Sequence, residues 1–143
     1  MKREKGVALT EFALALPMLL MLMLPILEFG RAYYQYNTIA KSVRQAARYL
    51  SMRSPGVVAD VDKARNIVVY GNPAGTGTPL VPGLSLSNVP TPTYGTTGSY
   101  PTLNTVTVTV TGFTFVPLVK GVSWIAFDGM TFGSIQATLR SPT

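Results

Sequence analysis

The chain has 143 residues, carries 12 Lys+Arg against 6 Asp+Glu, and contains no Cys and no His. Those absences exclude a disulfide-stapled domain, a nucleophile activated by His, and zinc or haem sites built on their usual ligands. The net charge of +6 is concentrated in residues 2–5 and 31–53, beside an apolar run, which suits a membrane surface or an acidic partner better than nucleic acid.

Residues 1–6 form a short basic leader. Residues 6–27 then read GVALTEFALALPMLLMLMLPIL, and residues 12–27 carry no polar side chain. With residues 7–9 added, the run is long enough to cross a bilayer as a helix. Glu11 is its one charge. A carboxylate at membrane depth costs roughly 2.5–3.5 kcal/mol at the centre of a span, so it needs a partner. The stretch supplies none. Cleavage after Gly6 would create one, the α-amino group of Val7, four residues before Glu11.

The order of these features carries a resemblance. The string MKREKG, then VALTEF, then an apolar helix, resembles the processing site of type IV prepilins. The continuation EFALALPMLL and EFGRAYYQYNTIAKSVRQAARYL is similar to the TadE-like family of pseudopilins from tight-adherence (Tad) pilus systems, and ARNIVVYGNPAG fits the same family. The resemblance implies cutting between Gly6 and Val7 by a prepilin peptidase, with Glu11 and Phe12 as the recognition and assembly residues. It also implies a cytoplasmic N-terminus before processing and a periplasmic C-terminal domain. Lysines and arginines flank the run on both sides, so charge counting alone sets no orientation. Val7 stands where other type IV pilins carry an aromatic.

The fold expected is α+β and pilin-like. Residues 7–28 form the transmembrane or assembly helix, residues 29–53 continue it, residues 57–70 form a second short helix, and residues 103–140 form a small antiparallel sheet. Residues 29–143 together make the soluble domain. Helix 7–53 would be about 70 Å long at 1.5 Å per residue. Pro17 and Pro25 lie inside it and each removes a backbone donor; they mark either flexible points or ordinary kinks. Phe29, Ala32, Tyr36, Ile39, Val43, Ala46 and Leu50 recur at helical spacing and define the face expected to pack inward. Asn37, Lys41, Arg44 and Arg48 line another flank, either as a solvated stripe or as a contact for anionic lipid or an acidic neighbouring subunit. Glu28 and Arg31 are placed to pair at i,i+3. Tyr33, Tyr34 and Tyr36 sit where an interfacial aromatic belt would lie.

Ser54-Pro55-Gly56 ends the long helix, and Ser54 is the expected cap of the next. Val57, Val61, Ala64 and Val68 are its apolar stripe, and Gly71-Asn72-Pro73 its stop. Residues 71–102 are rich in Gly, Pro, Thr and Ser and read as loop, with a short strand expected at 84–87. TVTVTVT at 105–111 is the clearest strand. A bulge at Gly112 would keep Phe113 and Phe115 on the face of Val106, Val108 and Val110. Ile135, Ala137 and Leu139 point inward from a last strand at 134–140. Between them, Val119, Val122, Trp124, Ile125 and Phe127 belong to a core-capping segment or to an exposed apolar patch.

No catalytic arrangement is evident. Asp60 and Asp62 diverge on a helix, no Ser stands three residues before a Lys, and the glycine-rich stretch 71–78 lacks the Lys of a phosphate loop. No cofactor or metal is implied. The chain reads as a minor pilin that helps initiate or assemble a Tad-type pilus, because the resemblance implies much shorter major pilins. Its implied partners are other pilin subunits, the prepilin peptidase and inner-membrane assembly proteins. The alternative is an uncleaved, membrane-anchored scaffold or binding protein of the same machinery.

Overall fold

The structure, a computed structural model, describes residues 2–118, 121–122, 125–126 and 129–141, with side chains described for 6–118 and 129–141. The chain divides into two compact units, one of residues 1–33 and 117–128, the other of residues 34–116 and 129–143. Helix α1 runs Lys2–Leu50 and is unbroken at Pro17 and Pro25. Ala, Leu and Met dominate its first half, and all are strong helix formers. The expected end at residue 53 is three residues too late. Ser51 and Arg53 donate to the carbonyls of Ala47 and Leu50 at 2.9 and 3.0 Å, closing the helix in a tight last turn. Gly56 then adopts φ +78°, a backbone state other residues rarely take.

In the second unit the buried stripe of α1 is Ile39, Val43, Ala46, Ala47 and Leu50. Its phase differs from the expectation at the N-terminal end. Phe29 and Tyr36 are exposed, at 66% and 44%, while Glu28 and Gln35 are buried at 8% each. Stepping back from Leu50 in threes and fours leads through 46, 43 and 39 to 35, 32 and 28. The helical period therefore puts a polar residue inward wherever the apolar one is a position late. The Tyr36 ring instead meets Phe132 edge-on at 5.7 Å, and Phe132 leans on Phe113 at 5.5 Å. The Gln35 Oε1 is buried without a hydrogen-bond partner among the described residues.

Helix α2 spans Val58–Tyr70 and buries Val61, Ala64, Ile67, Val68 and Val69. Ser54 does not cap it. The cap position is Val57, which offers no side-chain acceptor, because the positive φ of Gly56 separates Ser54 from the helix. Val57 is correspondingly exposed at 41%, outside the stripe. Gly71 ends the helix as expected, with φ +75° and its N–H on the Ile67 carbonyl. Tyr49 donates its hydroxyl to Asp60 Oδ1 at 3.0 Å and lies under the Arg53 guanidinium. Burial and then the Asp60 hydrogen bond raise the Tyr49 phenol above its ordinary pKa, against the lowering effect of Arg53, so it remains a donor.

Residues 84–87 do not form a strand. Ser85 and Asn88 close a capping box around a 3-10 turn at Leu86–Asn88, a local arrangement that outcompetes extended backbone. Arg65 of α2 holds this turn by donating to the Val89 and Leu86 carbonyls, both at 2.9 Å.

The main sheet has the order β1-β2-β7, all antiparallel, with β1 Thr93–Thr97, β2 Leu103–Val110 and β7 Ile135–Arg140. Strand β1 (TYGTT) lies inside the stretch expected to be loop; its centre is Gly95 and it has no apolar alternation. Strand β2 behaves as its pattern demands, with Val106, Val108 and Val110 buried and threonines on the other face. Gly112 is a break rather than a bulge. With φ +65° it turns the chain, and β3 Thr114–Phe115 pairs with β6 Met130–Thr131 in a separate ribbon. Phe113 and Phe115 are nonetheless buried. In β7 Ile135 is buried, Ala137 half-buried and Leu139 37% exposed, so inward alternation fades along the strand. In the first unit Gly121–Val122 and Ile125–Ala126 form a short antiparallel pair, β4 and β5. The side chains of Val122 and Ile125, and all of Val119, Trp124 and Phe127, lie outside the described residues.

The core of the second unit joins Ile39, Val43 and Leu50 of α1 to Val68 of α2, Val108 of β2 and Phe113. Ile39→Ala is expected to destabilise this unit by about 2–5 kcal/mol in chemical denaturation, whereas Phe29→Ala changes its stability by less than about 0.5 kcal/mol.

Candidate functional site

The first unit exposes an apolar helix. Val7, Leu9, Phe12, Leu14, Met18, Leu22, Met23, Ile26 and Leu27 are each more than half exposed. They point to every side of α1, and only Met21, Leu24 and Pro25 of residues 6–27 are half-buried. A helix apolar all round and unburied is stable only in lipid or against other helices. Its length and composition are those of a membrane span.

Glu11 lies on this surface. Its side chain is exposed and makes no hydrogen bond or ion pair with any described side chain. Residue 7 is one turn earlier on the same face, because residues four apart stack along a helix. Phe12, 58% exposed, is the next residue round. Thr10 satisfies its own hydroxyl on the Val7 carbonyl at 2.7 Å, so it offers nothing to Glu11. Gly6 lies within α1, and a Cβ built there would meet nothing within 4 Å. The fold thus has no steric need for glycine at this position.

Pro17 is exposed and Pro25 half-buried, both inside continuous helix. Each lacks the N–H that would reach the carbonyl one turn back, at Ala13 and Met21. In the second unit Lys41, Arg44 and Arg48 are all exposed. Arg44 donates Nε to the Ala40 carbonyl at 3.0 Å. None of the three pairs with a carboxylate among the described residues.

One site escaped sequence reasoning in part. Glu28 pairs with Arg31 at 2.7 Å, as the i,i+3 spacing predicts. Its other oxygen accepts the backbone N–H of Leu118 at 3.2 Å, ninety residues away in sequence. Helical phase turns Glu28 inward, and it becomes the tie between α1 and the returning chain of the first unit. The only signal in the sequence was a carboxylate on the inward face, masked by its neighbour Phe29. Asp60 and Asp62 are engaged with Lys63 and Arg65, each at 3.9 Å. Among the described residues no group of acids is placed to hold a metal ion.

Residues 6–48 match the family model for TadE-like protein. The matched segment begins at Gly6, takes in Glu11 and Phe12, and ends at Arg48. It covers under a third of the chain, so α2 and the sheet lie outside it. No curated protein and no solved structure matches the chain.

Glu28→Ala leaves the Leu118 amide without its acceptor. Hydrogen–deuterium exchange at Leu118 should then accelerate about tenfold or more, while Glu28→Gln, which keeps an acceptor oxygen, should largely preserve protection.

Proposed function

We propose that the chain is a minor pilin of a Tad-type pilus, cut after Gly6 and assembled through its N-terminal helix. The observation that carries this reading is Glu11: an unpartnered carboxylate on an apolar, unburied helix, one turn after residue 7, inside the segment that matches the TadE-like family. In lipid such a charge needs an opposite one. The α-amino group released at Val7 would supply it. Within one helix the amine points along the axis, so the pair forms between neighbouring subunits as their helices pack. Paired charges in a low dielectric add little net stability but set register strongly.

Gly6 fits the same reading. Since no steric constraint demands it, its role falls to the peptidase. A protease works on extended backbone, and glycine lowers the cost of unwinding the helix at this position by about 1 kcal/mol relative to Ala. Phe12 adds an aromatic beside the carboxylate for recognition. Pro17 and Pro25 give the helix two weak points for bending as subunits pack. The partners are other pilin subunits, the prepilin peptidase and the assembly proteins of the inner membrane, and the second unit would lie on the periplasmic side. The larger α+β portion outside the matched segment supports a minor, initiating role over that of a bulk filament subunit.

The second reading is an uncleaved anchor in the same machinery. It is favoured by the unbroken course of α1 from Lys2 through Gly6 and Val7.

Glu11→Ala should leave membrane insertion intact and lower incorporation into pili by at least about tenfold, since the neighbour's amine is then buried unpaired. Normal incorporation of that variant would refute the pairing. Gly6→Leu should block processing and leave the chain at its uncut mobility on a gel; a mobility equal to that of processed wild type is the adverse result.

A further inference from the structure

Strand β7 is an open edge. It pairs with β2 on one side and, among the described residues, with nothing on the other. Natural sheets guard such edges with Pro, bulges, short length or inward charge, because an unpaired row of N–H and C=O groups is a template for another strand. The six residues IQATLR of β7 carry none of these guards except Arg140 at the end. The opposite edge, β1, is a poorer template, since Gly95 interrupts it.

The open edge is also one wall of a groove. Residues 134–139 face Tyr36, Ala40 and Arg44 of α1 across a volume of about 480 Å³, all within the second unit. Tyr36 is held in place by its edge-on contact with Phe132. Among the described residues Arg44 uses only Nε, on the Ala40 carbonyl. The groove therefore offers backbone hydrogen bonds along one side, an aromatic wall, and a guanidinium with no carboxylate among the described residues.

We infer that this groove receives an extended segment of a different protein, which adds a strand to β7 and sets a carboxylate against Arg44. The described residues favour a different protein over a second copy of the chain. Every Asp and Glu among the described residues lies in α1 or α2, so no described strand of a second copy carries a carboxylate. Two copies meeting edge to edge at β7 would also bring Arg140 of each copy into the same contact. Backbone pairing gives this contact its affinity, and the side chain opposite Arg44 gives it specificity. The inference stands on the sheet edge and is independent of whether residues 1–6 are removed.

The test places a benzophenone side chain at position 136, and separately at 138, of the full chain in membranes of its own host. Irradiation is followed by mass-spectrometric mapping of the cross-linked peptides. The expected product joins β7 to an extended, Asp- or Glu-bearing segment of a different protein. Its yield should fall roughly fivefold in Arg44→Glu and recover in Arg44→Lys. Cross-links to residues 119–128 of the same chain would show an internal cover for the edge and overturn the inference. So would cross-links to β7 of a second copy, no cross-link at all, or a yield indifferent to Arg44→Glu.

Discussion

A carboxylate on an apolar helix is the constraint on which the rest of this structure depends. Nothing within the described chain neutralises Glu11, and nothing within it buries the helix around it. Under the proposed function both deficits would be met by one remedy, the packing of other helices that bring a positive charge. The span contributes hydrophobic area without direction, since its exposed side chains point all round. In the proposed assembly Glu11 would contribute direction, since one carboxylate would meet one amine in one register.

The second unit solves a different problem. It is a small core assembled from the inward face of α1, one face of α2, and the valines of β2. Polar side chains lock its loops. Arg65 ties α2 to the turn at residues 86–88, Tyr49 ties α1 to Asp60, and Asn88 reaches the carbonyls of Thr111 and Gly112, each at 3.2 Å. With no cysteine available, the side-chain-to-backbone bonds of Arg65 and Asn88 stitch the end of the long Gly- and Pro-rich connection to the core. In the first unit Glu28 does comparable work, holding the chain at Leu118 against α1.

The sequence made some of this legible and concealed the rest, for identifiable reasons. The alternation of β2, the stop at Gly71 and the apolar span follow from patterns with a single physical solution. Positions 29 and 36 and positions 28 and 35 both keep helical spacing with Ala32 and Ile39, so spacing alone does not choose between them; the backbone turns Glu28 and Gln35 inward and leaves Phe29 and Tyr36 exposed. Strand β1 was hidden because TYGTT has no alternation of its own and is a strand only by pairing with β2. Residues 84–87 looked extended, but Ser85 and Asn88 satisfied each other locally. At the candidate site, Gly6, Val7, Glu11 and Phe12 were legible as a spaced motif. The Leu118 contact of Glu28 and the open edge of β7 depend on tertiary structure and left no local trace.

In the proposed function Val7 becomes the N-terminus and its amine the partner of Glu11. The most direct test is the intact mass of the protein purified from membranes of its own host, with mapping of the N-terminal peptide. The expected result is a chain that begins at Val7. A mature protein that still begins at Met1 would contradict it, leaving Glu11 to find its partner in another protein's helix.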